Sequence, residues 1–123
     1  AALVLSNMGG DITSAVTMPG AFGMGAALTF EIVATFLFVT VILGVTQDSS
    51  NYMAGAAIGL ALVAIHLAGI KVSGASVNPA RTLATNIFDT NALQISWLYF
   101  VGPLIGGALA GWVHNSGFTK SQK

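Results

Sequence analysis

The chain has 123 residues, 54% of them hydrophobic and 7% charged, and its four basic and four acidic residues cancel to a net charge of zero. A soluble domain carries about 25% charged residues, so this surface lacks the charge that keeps a protein in water. Disorder needs the opposite composition, and a nucleic-acid binder needs a basic patch to neutralise phosphates. With no cysteine there is no disulfide framework, thiolate metal site or cysteine nucleophile. What remains is an integral membrane protein.

Residues 1–23 are rich in Gly, Ser and Thr and read as an extramembrane loop, with the end of an earlier helix at Ala1–Leu5 and a turn at Pro19-Gly20. Three segments then approach the ~20 apolar residues that cross a bilayer. They are 24–46, interrupted by Glu31; 53–70, which contains His66; and 97–115, with no Asp, Glu, Lys or Arg. None follows a basic N-terminal stretch, so none reads as a cleavable signal. Gly55 and Gly59 in the second span, and Gly102, Gly106 and Gly107 in the third, form small-residue rows that predict close helix packing. Residues 116–123 form a tail with two lysines, expected on the cytoplasmic side, which puts 1–23 outside.

Residues 71–96 fit neither a span nor an ordinary loop. Small and polar residues lead to Asn78, a strong N-cap type, and Pro79, favoured at the first helical position. The apolar run that follows is too short to span and stops at Asp89. A re-entrant half-helix over 79–88 is expected, its start at membrane depth where irregular backbone must be buried or line a water-filled cavity.

Four features of this region and its neighbours carry chemistry. Asn78, Pro79 and Ala80 open the half-helix, where unpaired N–H groups and the helix dipole make a partly positive site. Arg81 follows directly. A charge at that depth is a functional hypothesis by default, and snorkelling to the interface is its structural alternative. His66 shares a helical stripe with Gly55, Gly59, Leu62 and Gly69, and can either line a pore or bond between helices. Glu31 needs a partner if buried. The backbone N–H groups of 72–78 are suitable donors, so Glu31 is expected to brace that loop rather than to carry protons.

These elements, in this order and spacing, resemble the C-terminal half of an aquaporin, of the major intrinsic protein family, over essentially the whole chain. Gly74-Ala75-Ser76-Val77-Asn78-Pro79-Ala80-Arg81 resembles the second NPA box with its arginine. Val101-Gly102-Pro103-Leu104-Ile105-Gly106-Gly107 resembles the sixth-span signature, and Glu31 and His66 stand where the family has a fourth-span carboxylate and a fifth-span filter residue. The resemblance implies an all-α membrane protein of three transmembrane helices and one re-entrant half-helix, one repeat of the family's inverted-repeat fold. It also implies that the chain is a fragment whose N-terminal partner half carries the first NPA motif, with a half-length protein that pairs with itself as the alternative.

The function implied is passive conduction of water, with no enzyme activity, cofactor, metal or nucleic acid. His66, Ala75 and Arg81 would form the selectivity filter, and the carbonyls of Gly74, Ala75 and Ser76 would line the path. Thr82 and the pair Tyr99-Phe100 lean towards water channels. Ala75, smaller than usual, and Asn86, which fits neither water nor glycerol members, leave glycerol or ammonia permeation open. A homotetramer in the plasma (inner) membrane is the family expectation. A structural membrane-assembly subunit is the rival from another class.

Overall fold

A computed structural model describes residues 4, 7–9, 15–48 and 51–117. The helix end expected at Ala1–Leu5, Val4 apart, and the tail beyond Gly117 lie outside the described residues. Among the described residues the regular structure is helical. Helices α1 (Gly23–Val45), α2 (Ala54–Ser73) and α5 (Leu98–Asn115) are long; α3 (Pro79–Asn86) and α4 (Thr90–Ile95) are short. The three long helices lie in segments long and apolar enough to cross a membrane.

The packing is inside-out relative to a soluble bundle. Helix α1 buries Ala27, Glu31, Ala34 and Thr35, small or polar residues, while Val33 and Leu37 point outward and are about half exposed. Helix α2 leaves Leu60, Val63, Leu67 and Ile70 exposed and buries only Gly69 and Ser73. Lipid is as apolar as leucine, so large side chains gain nothing by turning inward. Helices associate instead where small residues let backbones approach.

Helix α1 is the centre of that association and packs against both α5 and α2. A Cβ on Gly106 would stand 2.3 Å from the Ile32 carbonyl oxygen, and one on Gly102 would stand 2.8 Å from Glu31 Cβ. On the other seam the Phe30 ring covers Gly69, where a Cβ would come within 1.8 Å of the ring. The remaining expected packing glycines behave differently. Among the described residues nothing lies within 4 Å of a Cβ built at Gly55, Gly59 or Gly107, so these make no close helix contact there. A small residue permits close approach but does not say which face is approached.

The loops are tied by single side chains. The Asn51 amide donates to the Val45 carbonyl at 3.0 Å and accepts from the Met53 amide at 3.1 Å, bridging the end of α1 to the start of α2. Helix α2 runs on to Ser73, three residues past the expected span, and stops at Gly74, whose φ of 78° suits a left-handed cap. Helix α3 begins at Pro79 and ends at Asn86, two residues short of the expected 88. Asp89 then caps α4, accepting from the amides of Asn91 and Ala92. The stretch before the third span is therefore a further helical turn and a half, not loop.

The α1–α5 seam generates a contrast. Gly106→Ala should lower stability by about 1–3 kcal/mol, the usual cost of overpacking, because the obstacle is backbone and cannot yield. Gly107→Ala should leave it unchanged. Thermal unfolding of both variants in detergent checks this.

Candidate functional site

The site is the turn between α2 and α3, residues 74–78, whose backbone is unusual. Gly74, Ala75 and Val77 all have positive φ, of 78°, 47° and 45°. For a β-branched residue such as Val77 this is a genuine outlier, and such residues persist only where their surroundings over-determine them. The surroundings do so through every N–H of the turn. The Gly74 amide donates to the Ile70 carbonyl. The Ala75 amide donates to Ser73 Oγ at 3.0 Å. The Ser76 amide donates to Glu31 Oε1 at 2.9 Å and the Val77 amide to Glu31 Oε2 at 2.7 Å. The Asn78 amide reaches Ser76 Oγ at 3.4 Å. No backbone N–H of the turn is left to face a ligand.

Glu31 is wholly buried and holds this turn from α1. Besides the two amides it accepts from the Ser73 hydroxyl at 2.7 Å, so the Ser73 oxygen relays the carboxylate to the Ala75 amide. Tyr99, also wholly buried, donates its hydroxyl to the Ser73 carbonyl at 2.6 Å and ties α5 to the same point. From the α3 side, the buried Thr82 hydroxyl contacts Ser76 Oγ. Thr82 and Tyr99 thus face inward as supports of the turn, not outward as surfaces that a solute would meet.

Asn78 caps α3. Its Oδ1 accepts from the amides of Ala80 at 3.0 Å and Arg81 at 3.3 Å. Those partners are donors, so the amide orientation is set, and Nδ2 points away from the helix at an exposed residue. Arg81, exposed, donates from Nη1 to the Ala75 carbonyl at 3.3 Å. Among the described residues no hydrogen bond reaches the carbonyls of Gly74 or Ser76. Ala75 is fully buried, so its small side chain opens no path within this chain. Its carbonyl instead fixes the guanidinium.

His66 stands apart from this cluster, one helical turn before Ile70 on α2. Its Nδ1 is 2.9 Å from the Leu62 carbonyl. A carbonyl only accepts, so Nδ1 carries the hydrogen and Nε2 is the ring atom left for a ligand. The ring lies in an apolar groove of about 370 Å³, with Gly59, Leu62, Val63, Leu67 and Ile70. No hydrogen bond joins His66 to Arg81 among the described residues. Nor do the described residues hold a cluster of His, Cys, Asp or Glu that could bind a metal ion.

Asn86 differs most from expectation. It is wholly buried, and its amide is spent on protein. Oδ1 accepts from the Thr17 amide at 2.8 Å, and Nδ2 reaches the carbonyls of Thr17 at 2.9 Å and Ala92 at 3.2 Å and the Ser96 hydroxyl at 3.0 Å. It is no surface of a path through this chain. The sequence carries no sign of Ser73, and it marks Thr82, Tyr99 and Asn86 only by their resemblance to solute-selecting positions, not as supports of the turn. The available signal was a set of hydroxyl and amide side chains in stretches otherwise apolar.

A family model described as "Major intrinsic protein" matches residues 1–114. The chain belongs to that family. It is 42% identical over 106 residues to a protein named Aquaporin Z from Photorhabdus laumondii, covering 85% of this chain and 46% of that protein. It is 44% identical over 98 residues to an Aquaporin Z from Bradyrhizobium diazoefficiens, covering 78% of this chain and 41% of that one. A third, from Rhodopseudomonas palustris, is 42% identical over 98 residues with the same coverage, 78% and 41%. The chain thus spans less than half the length of these relatives. Family membership and three apolar helices make it part of an integral, multi-pass membrane protein, and the all-helical architecture is that of one half-repeat of the family.

The Glu31 bonds carry a prediction. Glu31→Gln keeps the shape but turns an NH2 group towards a hydroxyl or amide donor of the turn. Because each hydrogen bond to a charged group is worth about 1.5–3 kcal/mol, the substitution should destabilise by at least about 2 kcal/mol. Thermal unfolding in detergent reads this, and hydrogen exchange should show the Ser76 and Val77 amides losing protection first.

Proposed function

We propose that the chain forms half of a passive water channel that selects by size and electrostatics and excludes protons and ions. The observation that carries this reading is the fixed amide of Asn78. With Oδ1 bound to the two helix amides, Nδ2 can only donate. A water oxygen that accepts there is turned so that its own hydrogens point along the path, which interrupts proton hopping. Arginine and half-helix dipoles are the recognised means by which aquaporin-type pores exclude cations. Arg81, held by the Ala75 carbonyl, and the start of α3 supply both. The carbonyls of Gly74 and Ser76 would accept from water on its way, and His66 would narrow the passage with Nε2 as its acceptor.

The partners of this reading are a bilayer, a complementary half carrying another NPA motif, and further copies in a homotetramer. Its location is the plasma (inner) membrane, with residues 116–123 on the cytoplasmic side. No covalent step is involved, and relatives named Aquaporin Z support a channel over an enzyme. Glycerol or ammonia passage is not favoured by Ala75 or Asn86, since both are buried.

Stopped-flow light scattering on proteoliposomes of the intact protein tests this reading. An osmotic step should give fast shrinkage, and a glycerol gradient little uptake. His66→Gly should raise glycerol uptake by about tenfold, the low end of what a filled or emptied pocket discriminates. Permeability that ignores changes at both His66 and Arg81 would favour a structural membrane subunit instead.

A further inference from the structure

The segment before α1 is fastened to the turn region at two points, neither required by the helices themselves. The first is Thr17, whose amide and carbonyl both pair with the Asn86 side chain, at 2.8 and 2.9 Å, as two strands would pair backbone to backbone. Asn86 Nδ2 also reaches the Ala92 carbonyl and Ser96 Oγ, so one buried side chain joins Thr17, the end of α3 and α4. The Thr85 hydroxyl stands at the same point, 3.1 Å from both Asn86 Oδ1 and the Thr82 carbonyl; it shares its one hydrogen among these and the Arg81 carbonyl, and lies 3.3 Å from Thr17 Oγ1. The second point is Gly20, whose amide donates to the Val72 carbonyl at 2.8 Å. It sits so close that a Cβ there would be 1.8 Å from the Lys71 carbonyl oxygen.

Between the two points the chain crosses Gly74. A Cβ on Gly74 would lie 3.1 Å from Thr17 Cγ2 and within 3.7 Å of the Met18 backbone. Gly74 precedes Ala75, whose carbonyl holds Arg81. The strap therefore presses on the turn one residue from the group that positions the guanidinium.

We propose that Asn86 is a positioning residue for selectivity: by clasping Thr17 it holds residues 16–20 against Gly74, and so keeps the Ala75 carbonyl and Arg81 at the narrow point. This rests on the water-channel reading above. Residue 86 then acts on which solute passes without touching the solute. Loosening the strap frees the turn to relax away from the path, which admits a larger neutral molecule before it alters water flow.

The test uses the intact protein in proteoliposomes, with Asn86→Ala and the gentler, near-isosteric Thr85→Val. Glycerol and water permeability are measured per channel for each. A Met18→Cys reporter, with the rate of maleimide labelling as its readout, is added to each background; the described chain contributes no other cysteine. The expected result is a rise of about fivefold in the glycerol-to-water ratio for Asn86→Ala, the equivalent of one hydrogen bond's net worth. Thr85→Val should give a smaller rise, and labelling should be faster in the same order. If Asn86→Ala does not fold, the Thr85→Val ratio and labelling rate decide alone. An unchanged ratio overturns the proposal whether or not labelling speeds up, because a purely structural clasp would lower the number of channels and leave the ratio alone. An intact protein that passes neither solute overturns the channel reading itself, and with it the selectivity role of Asn86.

Discussion

The turn at 74–78 exists because Glu31 is beneath it. Two non-glycine residues there hold positive φ, each at a cost of order 1–3 kcal/mol. Three hydrogen bonds to the Glu31 carboxylate, from Ser73, Ser76 and Val77, at about 1.5–3 kcal/mol each, outweigh that strain. The exchange works in both directions. A buried carboxylate without partners would be intolerable, and a buried, bent backbone with unpaired amides would be equally so. Each is the reason the other is affordable.

That pairing sets requirements on the helices. Glu31 reaches the turn only if α1 lies centrally, and α1 lies centrally because Gly102 and Gly106 let α5 approach on one side and Gly69 accepts Phe30 on the other. The approach of α5 brings Tyr99 to the Ser73 carbonyl, so the residue that relays the carboxylate is gripped from a second helix. An apolar exterior of Leu, Val and Ile and a narrow interior of Gly, Ala, Ser and Thr thus serve one purpose. They let apolar helices enclose a polar constellation whose groups satisfy one another.

The sequence made part of this legible. Long apolar runs are visible by length, and Asn78-Pro79 marks the start of the half-helix because those residue types suit a cap and a first turn for separate physical reasons. Glu31 was readable as a brace by elimination, since a lone carboxylate in a span needs donors and the irregular loop has them. The partner of Asn86 was not readable, because Thr17 lies 69 residues away in sequence and neither residue belongs to a periodic pattern. Asp89 looked like the end of α3, yet its side chain starts α4; a residue that suits an N-cap also suits a loop. The glycine rows were ambiguous for the same kind of reason. Gly59 and Gly69 are equally small, and only the position of the Phe30 ring separates them.

On the proposed channel reading, the direction of bonding in the turn bears on what could pass it. Its N–H groups are consumed internally, while the carbonyls of Gly74 and Ser76 remain as acceptors and Asn78 Nδ2 and Arg81 as donors. On the proposed reading, a cation drawn to the carbonyls would meet the guanidinium and the positive end of α3, and an anion drawn to Arg81 would meet the carbonyls. A neutral molecule that both donates and accepts satisfies each group in turn and leaves no charge behind. Because the acceptors are backbone and the donors are held, Asn78 by its cap and Arg81 by the Ala75 carbonyl, that selection needs no moving part. It needs only that the turn stay where Glu31, Tyr99 and the strap at Thr17 hold it.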